Sequence, residues 1–311
     1  ILSLKATERK TKPLSRSAES NAQRTTEFPR VTHQQPNHMS ASIKGAWVTH
    51  AGKRKPSNED SVFFGPETLS GTVMEEPATV ECANDEWLLG VADGVGGLEG
   101  GETASRICVD ALAGAKGVTP ATVKKMLEDL NQEIFDKSEE RKLQGMGTTV
   151  AGLGFGSGLL FAYNVGDSRV YRHHAGRGLE RITIDDSLVE RGGKDSMPSP
   201  DAPSNVITQA LGGRKSFKEI NPNLYDDLDS SEKALYLVCS DGLNDMIEDV
   251  EIGKILAGND EGAELHSIAR DLLRLALDGG GKDNVSIVLA EYEPPAPKRG
   301  LLGRLFGRFK Q

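Results

Sequence analysis

The sequence predicts an α+β fold, on three observations. Its strand patterns come in runs separated by turns, and its helical patterns come in consecutive pairs. The alternation of strand and helix that builds a parallel sheet is therefore missing. Three separate apolar strands also end on an acid, at Asp93, Asp167 and Asp241.

The 311 residues, 37% of them apolar, suffice for one large domain or two small ones. A formal charge of −9 argues against a nucleic-acid partner, whose phosphates call for a basic surface. Cys82, Cys108 and Cys239 cannot form a full disulfide framework and have no metal-ligand spacing, which points to a reducing, cytoplasmic compartment. No apolar run approaches the roughly 18 residues of a membrane-spanning helix.

Residues 1–41 are basic and polar without apolar period, and are expected to be a disordered extension. The folded domain is expected over 42–293, with a basic tail over 294–311. Ala46–Thr49 and Ser61–Phe64 read as strands joined by the turn Pro56-Ser57-Asn58-Glu59-Asp60. Residues 66–86, with Pro66, Pro77 and several acids, read as a surface loop. Glu86–Ala92 is a short apolar run, hence a buried strand, and it delivers Asp93. A glycine-rich loop follows, Gly94 and Gly96-Gly97 in it, and a helix is expected from near Gly101 with Ala104, Cys108 and Leu112 inward. Thr119-Pro120 is an N-cap with proline at the first helical position, opening a second helix through Val123, Leu127, Leu130 and Ile134.

Gly147–Leu153 and Gly158–Val165 form a hairpin pattern whose second arm leads into Gly166-Asp167-Ser168-Arg169. Short strands follow at 170–172 and 179–182, then a polar stretch, 185–216, that suits a mobile flap over a site. Ala234–Cys239 is the next apolar strand and ends in Ser240-Asp241-Gly242. Helical patterns at 249–256 and 264–277 close at Gly279-Gly280-Gly281, and Asp283-Asn284 opens the last strand, Val285–Ala290.

Any one strand-end acid is explained by a turn. Three in this pattern, with Glu59-Asp60 and Asp283 at the ends of further strands, suggest convergence on one pocket. Carboxylates at that density raise each other's pKa unless a cation neutralises them. Oxygen donors without a His or Cys cluster select hard cations, Mg²⁺ or Mn²⁺.

The ordered set Asn58-Glu59-Asp60, Val91-Ala92-Asp93-Gly94-Val95-Gly96-Gly97, Gly100–Ser105, Gly147-Thr148-Thr149, Asn164–Arg169, Ser240-Asp241-Gly242 and Asp283-Asn284 resembles the metal-dependent type 2C protein serine/threonine phosphatases, most of all their bacterial branch. It spans about residues 43–292. The resemblance implies a four-layer αββα sandwich, two packed antiparallel sheets each flanked by a pair of helices. It also implies two core Mn²⁺ or Mg²⁺ ions, with Asp93 bridging, the Gly94 carbonyl as a further ligand, and Asp241 and Asp283 on the first ion. Glu59 and Asp60 would act through metal-bound waters, and Asp167, Asp241 and Asp245 match a weaker third site. On this reading Asp93, Asp241 and Asp283 belong to one coordination sphere. The implied reaction is hydrolysis of phosphoserine and phosphothreonine in proteins by a metal-activated bridging water, reversing a Ser/Thr kinase. None of the three cysteines has the Arg six positions on that a cysteine-dependent phosphatase requires.

One position departs from the family. Where it usually has a phosphate-binding Arg, three residues before the Asn-Glu-Asp triplet, this chain has Lys55 with Arg54 beside it. Both are candidates, and Lys lacks the bidentate fork of Arg. His50 is a weaker candidate for a general acid. Cys239 reads as core and Gly152–Gly158 as a hairpin turn. The tail Leu301–Lys310 has apolar residues at helical spacing between cations; disorder suits its glycines better than docking on a membrane or partner. A catalytically weak phosphoprotein-binding scaffold of the same fold is the alternative function, and a small phosphorylated metabolite is the alternative substrate.

Overall fold

The computed structural model describes residues 43–191 and 206–294. The expected N-terminal extension, the basic tail and the middle of the 185–216 stretch lie outside the described residues.

The elements in chain order begin with β1 (Ile43–His50), β2 (Ser61–Phe64), β3 (Glu67–Ser70), β4 (Ala78–Cys82), β5 (Trp87–Ala92) and β6 (Gly94–Val95). Helices α1 (Leu98–Ala113) and α2 (Pro120–Arg141) follow. Next come β7 (Gly147–Thr148), β8 (Val150–Gly156), β9 (Leu159–Val165), β10 (Arg169–His174), β11 (Gly178–Arg181) and a one-turn α3 (Leu188–Arg191). The last part holds β12 (Leu211–Gly212), β13 (Asn223–Tyr225), β14 (Ala234–Cys239), α4 (Asp241–Asn244), α5 (Asp249–Leu256), a 3₁₀ turn (Ala257–Glu261), α6 (Leu265–Asp278) and β15 (Val285–Tyr292).

Two six-stranded antiparallel sheets carry the fold, ordered β11-β10-β14-β15-β1-β4 and β13-β9-β8-β5-β2-β3. The central strands have both faces covered, so they read as unbroken apolar runs rather than alternating ones. In β5, Trp87, Leu89 and Val91 enter the core between the sheets, while Leu88 and Ala92 join the layer with α1 and α2. In β14, Ala234, Tyr236 and Val238 face the inter-sheet core, and Leu235, Leu237 and Cys239 face α5 and α6. The four-layer sandwich is therefore the observed architecture. α2 starts as its sequence dictates: the Thr119 hydroxyl accepts from Thr122 N, the reciprocal bond is made, and Pro120 follows. Such a cap contributes about 1 kcal/mol.

Three expectations need correction. Residues 66–86 contain two strands, β3 against β2 and β4 against β1, each at the outer edge of its sheet. Their partial exposure explains their polar composition. Gly147-Thr148 leaves the hairpin and pairs with β6 on one side and β12 on the other, forming a small third sheet, β12-β7-β6. α1 begins at Leu98, inside the glycine-rich loop, with Gly97 at φ +83 as its N-cap.

Candidate functional site

The ends of β5, β9, β14 and β15 and the turn before β2 carry the acids picked out from the sequence. Asp93 lies between β5 and β6. Its carbonyl accepts from Thr149 N and from Thr148 Oγ1, both at 2.9 Å, which fixes the turn. Gly94 then packs against the first turn of α1: a Cβ on it would stand 2.4 Å from the Gly101 carbonyl and 2.6 Å from the Glu59 carbonyl oxygen. A Cβ on Gly101 would stand 2.0 Å from Glu59 Oε2. These two glycines let the Glu59 carboxylate lie directly on the start of α1, where helix amides favour negative charge.

Asp60 is fully buried. Its Oδ2 accepts from Ser240 Oγ at 2.8 Å, and Ser240 Oγ in turn accepts from Ser286 N at 3.0 Å. Asn284 ties the Glu59 turn to β15: its Oδ1 accepts from Glu59 N at 2.9 Å, and its Nδ2 donates to the carbonyls of Ala51 and Ser57. Asp241 opens α4, and Gly242 passes so close to Asn284 that a Cβ there would meet its carbonyl oxygen at 1.9 Å. Residues from opposite ends of the chain are thus locked together beneath the acids.

Mutual repulsion and burial show in the proton affinities. Burial, then Asp60, Asp241, Asp167 and Asp283, pushes Asp93 well above the usual carboxylate range. Burial pushes Asp60 up to about 7, with Asp241 and Asp283 adding to it against the Ser286 and Ser240 hydroxyls. Asp241 rises to about 6 through burial, Asp283 and Asp245, with a hydrogen bond from Asp93 opposing. Asp167 rises to about 7 through burial and then Asp241, with Asp185 and Asp245 contributing. Burial also raises Glu59 and the exposed-side Asp245. Burial and mutual repulsion push four acids of one pocket above the ordinary carboxylate range, a pattern that positive charge relieves.

The donor set suits a hard divalent cation. Every candidate ligand is an oxygen, and Asp60 Oδ1 and Asp241 Oδ1 are buried without an amide, ammonium or alcohol donor among the described residues. No three His, Cys, Asp or Glu side chains among the described residues already stand as a group that would hold an ion. Asp93, Asp241 and Asp283 act on one another through charge, but among the described residues their side chains do not form a closed three-sided cage.

Lys55 Nζ stands 2.7 Å from Asp283 Oδ1. Partial burial works against its charge, but Asp283, Asp93 and Glu59 together hold its pKa above the usual value. Arg54 is exposed and makes no hydrogen bond or ion pair with the described residues. His50 Nδ1 accepts from Gly52 N at 2.8 Å, and its Nε2 lies 3.9 Å from Glu75. Cys239 is buried in β14, and burial raises its thiol pKa. Ser240, Ser286, Thr49 and the pair Asp185-Asp186 escaped the sequence reading. Nothing local marks them, because their partners lie far away in sequence.

The profile described as Protein phosphatase 2C matches residues 78–268. The serine/threonine protein phosphatase PstP of Mycobacterium tuberculosis is 32% identical over 251 residues, covering 77% of this chain and 43% of that protein. The serine/threonine phosphatase stp of Listeria monocytogenes is 32% identical over 222 residues, covering 65% of this chain and 83% of its own length. The crystal structure of the catalytic domain of PstP in complex with two manganese ions superposes with a TM-score of 0.62 at 30% identity, over 81% of this chain and 99% of that one. The chain thus spans less than half the length of full PstP.

Proposed function

This chain belongs to the type 2C protein phosphatase family, and from that premise we propose that it is a Mn²⁺- or Mg²⁺-dependent phosphatase of phosphoserine and phosphothreonine in proteins, acting against a Ser/Thr kinase. The observation that carries the reading is the pair of buried oxygens Asp60 Oδ1 and Asp241 Oδ1, which have no hydrogen-bond partner among the described residues, in a pocket that also receives the charges of Asp93, Asp167 and Asp283.

On this reading Asp93, the Gly94 carbonyl, Asp241 and Asp283 hold the core cations, with Glu59 and Asp60 behind them, and Asp167, Asp241 and Asp245 hold a weaker third. Bound divalent cations supply a water acidic enough to ionise near neutral pH and polarise the phosphoryl oxygens. Lys55, held at the rim by Asp283, binds the substrate phosphate as a point charge. Ser240 orients Asp60 by donating to Oδ2, while Oδ1 has no hydrogen-bond partner among the described residues. Asn284 keeps Glu59 beside α1. Burial holds the Cys108 and Cys239 thiols in their neutral form, so neither serves as a nucleophile. Three buried free thiols also suit a reducing, cytoplasmic setting.

The deciding experiment measures phosphate release from a phosphothreonine peptide with Mn²⁺ and with chelator. Release should require the metal and disappear in Asp93→Ala. Metal-independent release, or full activity in the variant, would overturn the assignment.

A further inference from the structure

The turn that presents Asp167 is gripped by two consecutive acids from the segment after β11. Arg169 closes a fork on Asp185, with Nη2 2.7 Å from Oδ2 and Nε 3.1 Å from both oxygens. Asp186 grips the other side. Its Oδ2 accepts from Gly166 N at 3.0 Å, and its own N–H donates to the Gly166 carbonyl at 2.9 Å.

Gly166 needs such a grip. It sits at φ +104, and a Cβ there would come within 2.6 Å of the Thr149 side chain, so its conformation is set by neighbours rather than by preference. Asp186 is fully buried and joins further segments as well. Asn223 Nδ2 lies 3.3 Å from both carboxylate oxygens, and Thr208 donates to the Asp186 carbonyl through N at 2.6 Å and Oγ1 at 2.9 Å. Asp186 thus links the stretches around Thr208 and Asn223 to the Gly166 turn that precedes Asp167. An amide bonded to a carboxylate makes one of the stronger hydrogen bonds, so the peptide before Asp167 is held firmly.

We propose that Asp186 is a positioning residue for the outer cation subsite, acting through Gly166 to hold the turn that carries the Asp167 carboxylate. It is not itself a ligand in this assignment. The inference rests on the phosphatase reading, and it names a residue outside the acids that would bind metal. Groups that orient metal ligands typically change metal affinity by about 10–100-fold when removed.

The test is a calorimetric Mn²⁺ titration of the whole chain, with the thermal midpoint measured in chelator. Asp186→Ala removes both acceptor oxygens and should weaken the weakest-bound cation about tenfold or more. The tight cations should change little, while the chelator midpoint should fall, because Gly166 N and Asn223 Nδ2 lose a buried acceptor. Asp186→Asn keeps one oxygen for Gly166 N and should weaken that cation less. An unchanged weak cation in both variants overturns the proposal. So does an equal loss of all cations, because Asp186 would then act on the fold as a whole rather than on one subsite. Should Asp186→Ala fail to fold, a wild-type weak cation in Asp186→Asn overturns it. If the wild-type chain binds tight cations, lost in Asp93→Ala, and no weaker one, only this inference falls. If it binds none, the phosphatase reading falls with it.

Discussion

Lys55 Nζ lies 2.7 Å from Asp283 Oδ1, so an ammonium is pinned at the rim of a pocket otherwise lined with acids. The neighbouring Arg54 is exposed and unengaged among the described residues. On the proposed function, Lys55, the one of the two that is engaged with an acid of the site, meets the substrate phosphate.

Lys55→Ala should raise KM for a phosphothreonine peptide about tenfold or more, the scale of a hydrogen bond to a charged group, with a smaller effect on kcat. Lys55→Arg should keep KM within a few-fold of wild type, and Arg54→Ala should leave it unchanged. Steady-state kinetics at saturating Mn²⁺ check all three, and a larger defect in Arg54→Ala would reverse the assignment.

The metal-free chain should lose stability as pH rises from about 4 to about 7. Asp60, Asp167 and Asp241 have folded pKa values of about 7, about 7 and about 6, above the ordinary Asp value of 3.8. A raised pKa means the folded state binds protons more tightly than the unfolded state. Its contribution is therefore complete below pH 4 and vanishes once the pH passes the folded value. Cations bind the ionised acids, so the gain in thermal midpoint from Mn²⁺ over chelator should grow between pH 5 and pH 8. A gain independent of pH would contradict this electrostatic picture.

Gly101→Ala should cost about 1–3 kcal/mol and most of the activity, because its Cβ would stand 2.0 Å from Glu59 Oε2. Gly100→Ala is the control: its Cβ would meet only Met146, no nearer than 3.4 Å, and alanine suits a helix better than glycine. Urea unfolding and peptide hydrolysis on the two variants separate crowding at Glu59 from any general effect of the substitution.

Arg169→Ala should cost about 2–3 kcal/mol, since the buried Asp185 loses its forked partner and keeps only Arg181 at 3.9 Å. Arg169→Lys should fall between, keeping the charge but losing the fork. Tyr171 OH, which receives Arg169 Nη1 at 3.1 Å and donates to Asp249 at 2.9 Å, would lose one of its two partners in either case. Denaturant midpoints check the ranking.

The sequence by itself determined the central strands, both helix pairs and the acids at the strand ends. Those features are local: apolar runs such as Trp87–Ala92 and Ala234–Cys239 must be buried on both faces, Thr119-Pro120 caps a helix wherever it lies, and an ordered series of motifs survives without coordinates. The tertiary structure alone decided what depends on partners far apart in the chain. It made strands of Glu67–Ser70 and Ala78–Cys82, because an edge strand needs only one ladder partner and little apolar surface. It also brought Ser240 to Asp60 and Asn284 to Glu59, across 180 and 225 residues. The same holds for Asp186 on Gly166. A hydrogen bond leaves no periodicity in sequence, so the groups that orient the acids became visible only when the sheets brought them together.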